Sequence, residues 1–235
     1  MQHAHTSLQH HQALVAEQDA VIALLHDADL NAPVPHCTPW SVRELLTHLA
    51  GVHRWAAAMS RLRAEDTDLP DEDPPAAADP AADYTAAAHE LREALSGAPS
   101  RPCRTLTGAG TIAQWTRRQL HETLVHRWDL HDALGLPRAT DEAVAGDCIA
   151  EVVDTLHPRQ VRLGRTPAPR TGVALHAPGG HWVLGHPDHV VATLSGPAAA
   201  LAQLLWRRTG IDDPRLTLTG DRAAATALLG TALTP

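Results

Sequence analysis

One stretch of the sequence sets a histidine, a glutamate and a second histidine in close order: His121-Glu122-Thr123-Leu124-Val125-His126. The order looks at first like the H-E-x-x-H pair of zinc proteases, but here the histidines are five residues apart. At about 100° per residue they diverge by roughly 140° around a helix and cannot reach one ion together. Glu122 and His126 are four apart and only about 40° out of line, so their side chains share a face and can converge on a cation. A third ligand has to come from another helix. His48 is the leading choice, because it interrupts an apolar stripe between Leu45 and Val52, where an imidazole needs a hydrogen bond or a metal. His53 lies five residues further on and points elsewhere. Two imidazoles and one carboxylate with a fourth position open are the usual ligand set of a catalytic zinc. Such a site keeps a net positive charge and favours an incoming anion, hydroxide or thiolate, whose pKa it lowers. A plainer reading stays open: in a chain with 17 histidines, a solvated helix face and a hydrogen-bonded core histidine also account for these residues.

The elements that must position them are helical over the first two thirds of the chain. Residues 8–28 carry Leu14, Val21, Ile22, Leu24 and Leu25 at mixed three- and four-residue spacings, the period of an amphipathic helix. A proline-rich loop over 31–39 leads to Trp40 and then Ser41-Val42-Arg43-Glu44, whose Ser41 and Glu44 make a capping box. Helix 2 runs from there to about 63, with Leu45, His48, Leu49, Val52, Ala56 and Met59 on one side. Residues 64–83 read as an acidic, Pro- and Ala-rich loop. A third helix spans 81–95, a Gly- and Pro-bearing loop spans 96–110, and helix 4 runs from 111 to 134, where Gly135 and Pro137 stop it. A fifth helix, 141–156, ends at Pro158. Together these predict a helical bundle over 1–158.

Composition changes beyond that point. Arg159, Arg162, Arg165 and Arg170 sit among three prolines, which reads as an interdomain linker. Strand-like runs follow at 171–176, 181–184, 190–194 and 215–218, with helical segments at 197–209 and 221–229 between and after them. The fold class is therefore α followed by α+β, with a small α+β domain over 159–235. His3, His5, His10 and His11 belong to a frayed terminus on this reading.

Charge and composition exclude much chemistry. The 19 basic residues are all arginine, so a Walker A phosphate clamp, a lysine Schiff base and a Ser-Lys site are absent. A net charge of −8 and an aromatic content of 3% argue against nucleic-acid partners. Three cysteines, Cys37, Cys103 and Cys148, are odd in number and far apart, which suggests neither a disulfide framework nor a zinc knuckle and fits a reducing cytoplasm. The N-terminus lacks the order of a signal peptide and no apolar run can span a bilayer, so no membrane partner is expected.

Pro39-Trp40-Ser41-Val42-Arg43-Glu44-Leu45-Leu46-Thr47-His48-Leu49, taken with His121-Glu122-Thr123-Leu124-Val125-His126-Arg127-Trp128-Asp129, resembles the mycothiol-dependent maleylpyruvate isomerase family. Ser195-Gly196-Pro197, Leu204-Leu205-Trp206-Arg207-Arg208 and Leu218-Thr219-Gly220-Asp221 resemble its small C-terminal domain. The resemblance covers nearly the whole chain. It implies a DinB-like bundle, a sterol-carrier-like C-terminal domain, and a divalent metal, zinc, on His48, Glu122 and His126. It also implies mycothiol as cofactor and an electrophilic small molecule as substrate, with thiol transfer or cis–trans isomerisation as the reaction. A non-catalytic metal- or small-molecule-binding protein of the same fold is the alternative. With lysine absent, fixed counter-charges must come from arginine. Arg208 and Arg222 are the candidates for the substrate, and Arg159, Arg162 and Arg165 for the cofactor. Asp129, three residues beyond His126, can orient a ligand imidazole.

Overall fold

A computed structural model describes residues 7–70 and 77–235 of the chain; His3, His5 and part of the acidic loop lie outside the described residues. The chain divides into two compact units that meet between Arg138 and Ala139.

The first unit is built on four long helices: α1 (Ser7–Leu24), α2 (Val42–Met59), α3 (Pro80–Leu95) and α4 (Ile112–Ala133). α2 packs chiefly on α3 and α1 on α4, while α2 and α4 also touch. Their apolar faces meet in a core that includes Val21, Leu45, Leu46, Leu49, Tyr84, Ala88 and Leu130, all buried. The helix starts are set locally. Glu44 accepts the Ser41 backbone N–H at 2.8 Å, as the capping box predicts. Asp79 accepts from Ala81 and Ala82 ahead of α3, which begins at Pro80. Gln114 accepts from the Thr111 N–H at the head of α4. α1 starts early enough to take in His10, which is buried at 7% exposure, and His11, so these two belong to the helix and not to a frayed end.

The expected loop over 96–110 contains instead a hairpin of β1 (Pro102–Thr105) and β2 (Gly108–Thr111). Its turn needs glycine at Gly108, whose φ is +104°. Gly110 has no room for a Cβ against Gln114 and Thr105. A strand of this composition carries no apolar alternation, which is why the pattern missed it.

The second unit starts with the helix that the sequence assigned to the bundle. α5 (Glu142–Glu151) packs on α7, so the boundary falls at 138/139 and not at 158/159. Periodicity shows which face of a helix is apolar, not which neighbour covers it. Pro158 does not stop the helix either. A π-helical turn at Val152–Leu156 carries the chain into α6 (His157–Arg162), with the His157 N–H bonded to the Val152 carbonyl five residues back. Proline has no N–H to give, and the wider turn absorbs it. The expected linker is therefore partly helix.

β3 (Gly172–Ala177), β4 (Gly180–Gly185), β5 (Val190–Ser195) and β6 (Thr217–Gly220) form one sheet in the order β4-β3-β5-β6. β3 and β5 run parallel and the other pairs antiparallel. α7 (Ala198–Leu205) and α8 (Arg222–Leu229) pack on its strands over Val173, Leu175, Leu194, Leu201 and Leu228. This is the α+β architecture expected. β6 begins two residues later than predicted. Glu142 of α5 accepts from the Ala198 N–H at 2.6 Å and the Ala199 N–H at 3.4 Å, capping α7, whose own N-cap residue is Pro197. Among the described residues, no helix is long and apolar enough to cross a membrane.

Two outcomes follow from these contacts. Burial pushes the His53 imidazole down to about 4, despite a hydrogen bond with Gln119. The unfolded chain therefore takes up the proton first as pH falls, and stability drops by roughly 3 kcal/mol between pH 6.5 and 4 from this group. Urea melts across that range should show a flatter acid limb in His53→Leu, whatever its absolute stability. Glu142→Ala should cost about 1 kcal/mol through the lost α7 cap, read from the urea midpoint.

Candidate metal centre

The packing of α2 on α4 brings together the three residues that the spacing selects. His48 Nε2 lies 3.3 Å from Glu122 Oε1, and His126 Nε2 lies 3.2 Å from the same oxygen. The donor atoms of His48, Glu122 and His126 are all within 4.8 Å of one another. His121 and His53 are buried elsewhere in the bundle, in keeping with the angular argument that sets them apart from this group.

Each of the three residues is oriented by a further contact. Asp129 Oδ2 accepts a hydrogen bond from His126 Nδ1–H at 2.9 Å, which leaves Nε2 as the nitrogen that faces Glu122. Asp129 is completely buried, one helical turn beyond His126. Arg118 Nη2 donates to Glu122 Oε2 at 3.0 Å from one turn before, so the arginine holds one carboxylate oxygen while the other faces both imidazoles. Trp40 packs on the ring of His48, with centroids 4.9 Å apart, and the His48 and His126 rings meet edge to face at 5.0 Å. Cys37 donates its thiol proton to Asp129 Oδ2 at 3.4 Å.

The electrostatics already favour positive charge at the meeting point. Burial acts to raise the Glu122 carboxyl, but hydrogen bonds from His126 and His48 and the nearby charges of His126 and Arg118 outweigh it and hold the group well below the usual carboxylate range. Burial acts to lower the His126 imidazole, and its hydrogen bonds with Asp129, Cys37 and Glu122 overcome that and raise it well above the ordinary value. Two imidazole nitrogens and one carboxylate oxygen, converging with a buried acceptor behind one ring, suit a divalent cation such as zinc.

The sequence reading picked out the three residues whose donor atoms come together here, and Asp129 beside them. It missed Arg118, which is only 7% exposed at its side chain, although its i,i+4 spacing to Glu122 was there to be read. The spacing of Cys37 carries no such signal, because Asp129 is 92 residues away.

The five arginines proposed from sequence lie in the second unit and are dispersed over it. Arg159 and Arg162 are on α6, and Arg165 follows it, reaching Gln160 Oε1 at 3.5 Å. Arg208 lies beyond α7 and donates to the Trp206 carbonyl at 2.7 Å. Arg222 opens α8, exposed and paired with Asp212.

Residues 11–131 match the family model described as the mycothiol maleylpyruvate isomerase N-terminal domain, and residues 143–227 match the model of the corresponding C-terminal domain. Comparison with curated proteins gives no match. Among solved structures, the chain is similar to a crystal structure of the mycothiol-dependent maleylpyruvate isomerase, with 14% identity and a TM-score of 0.68. It is likewise similar to that of a histidine-to-alanine mutant, with 12% identity and a TM-score of 0.69. Each likeness covers 92% of this chain and 95% of the other. At these identities the structures speak for the fold, and it is the two matched family models, spanning both units in order, that place the chain in the mycothiol maleylpyruvate isomerase family.

Proposed function

We propose that this protein is a mycothiol-dependent metalloenzyme that acts on an electrophilic small molecule through a thiolate, either transferring the sulfur or isomerising a cis double bond. The observation that carries this reading is the convergence of His48 Nε2, Glu122 Oε1 and His126 Nε2 within 4.8 Å inside a chain of this family. These three residues would hold the metal. A divalent cation bound there supplies a Lewis-acid position that lowers the pKa of a thiol and makes it a thiolate at neutral pH.

The protein's own groups do the rest by placement. Asp129 accepts from His126 Nδ1–H, so the proton that a bound cation would displace is the one on Nε2. Arg118 fixes the Glu122 carboxylate in a single orientation. Trp40 and the edge of the His126 ring limit how far the His48 imidazole can swing. A cation on two neutral imidazoles and one carboxylate carries net positive charge, which suits an anionic sulfur. The substrate's anionic end and the polar cofactor would be met by arginine, the chain's one fixed cationic side chain. We assign Arg208 and Arg222 to the substrate and Arg159, Arg162 and Arg165 to the thiol.

Purified protein should contain one zinc per chain by elemental analysis. His48→Ala and Glu122→Ala should lose it, while His121→Ala and His53→Ala retain it; equal loss in all four would contradict the assignment. In a thiol-consumption assay over a panel of electrophiles, turnover should need both mycothiol and metal. Arg208→Met and Arg222→Met should lower kcat/KM about tenfold or more. Stoichiometric metal without turnover of any adduct would instead favour a binding protein, and turnover without added thiol would favour metal-assisted hydrolysis.

A further inference from the structure

Behind the three ligands lies a cysteine that the proposed reaction does not use. Cys37 belongs to the loop before α2, and that loop is pinned by its own backbone: the Val34 N–H bonds to the Trp40 carbonyl at 2.8 Å, the Trp40 N–H to the Cys37 carbonyl at 2.8 Å, and the Cys37 N–H to the Val34 carbonyl at 3.1 Å. The Cys37 side chain is thereby held over α4. Its Sγ is 3.4 Å from Asp129 Oδ2, the same oxygen that accepts a hydrogen bond from His126 Nδ1–H at 2.9 Å. Asp129 is fully buried, and an ionised carboxylate out of water depends on every donor that faces it. One donor is the ligand imidazole and another is this thiol.

We propose that Cys37 is a positioning residue for the metal ligand His126, acting through Asp129. Its thiol proton helps to fix the carboxylate, the carboxylate fixes the Nδ1–H tautomer and tilt of the ring, and Nε2 is thereby directed at Glu122 and His48. The inference rests on the metal reading of the trio. A second possibility, that Cys37 is itself a ligand, is less favoured by the geometry. The donor atoms of Cys37, His126 and Asp129 also lie within 4.8 Å of one another. A metal there would compete for the edge of the imidazole that faces Asp129, where Nδ1 already gives its proton, and one neutral ring cannot serve both sets.

The test is a double-mutant cycle on metal affinity. Zinc(II) dissociation constants are measured by chelator competition on the metal-free full-length protein and on Cys37→Ala, Asp129→Asn and the double variant, with thermal melts of the metal-free forms as a check on folding. Cobalt(II) absorption spectra are recorded alongside. Cys37→Ala should bind zinc about tenfold more weakly, with little further loss when Asp129 is already Asn, and Cys37→Ser should recover part of the loss. The wild-type cobalt spectrum should lack a sulfur-to-cobalt charge-transfer band. Unchanged affinity in Cys37→Ala, full additivity of the two losses, or a sulfur band would each overturn the proposal. If the wild type binds no metal, the reading of the trio falls with it; if the wild type binds and Cys37→Ala binds equally, only the role of Cys37 falls.

Discussion

A carboxylate removed from water inside a helical bundle has to find positive charge or hydrogen-bond donors, and Glu122 satisfies that demand on both of its oxygens. One oxygen is given to Arg118, and the other is approached by two imidazoles from two helices. The arrangement depends on α2 and α4 lying side by side, because neither helix carries the full set. Apolar packing of Leu45, Leu46 and Leu49 in the bundle core sets that separation. The core therefore does chemical service without containing a reactive group. Anything that slides α2 along α4 by one turn, about 5.4 Å, would carry His48 out of reach of Glu122 while leaving both helices intact.

Much of the site was legible because helical spacing is a strong geometric constraint. The i,i+4 relation of Glu122 to His126, and its i,i+5 contrast with His121, follow from the helix alone. His48 stood out by chemistry, as an imidazole within an apolar stripe. Cys37 was not legible. Its contact with Asp129 joins a loop to a helix across 92 residues, and no local pattern encodes where a loop will lay its side chain. The identity of the family and the order of its two domains were also readable, from motifs dispersed over nearly the whole chain, and the two matched models agree with them.

The misreadings share a cause. Helix 5 was assigned to the bundle because its apolar face fits any apolar partner, and in the structure α7 covers it. The hairpin before α4 was taken for loop because glycine, which permits its turn and its close approach to Gln114, is also the residue that marks loops. Pro158 was taken as a stop because the usual cost of proline inside an α-helix is high. In each case a tertiary contact or a change of backbone register outweighed a local preference that was itself correctly identified.

The widened turn at Val152–Leu156 has a consequence for the surface beyond it. One extra residue in a helical turn advances the sequence by about 100° relative to an uninterrupted α-helix. A helical wheel drawn straight from α5 through α6 therefore puts Arg159 and Arg162 on the wrong side. Their azimuth is set by a local excess of one amino acid, so a single-codon deletion there would rotate this pair of cations by more than a quarter of a circle while leaving every residue type in place.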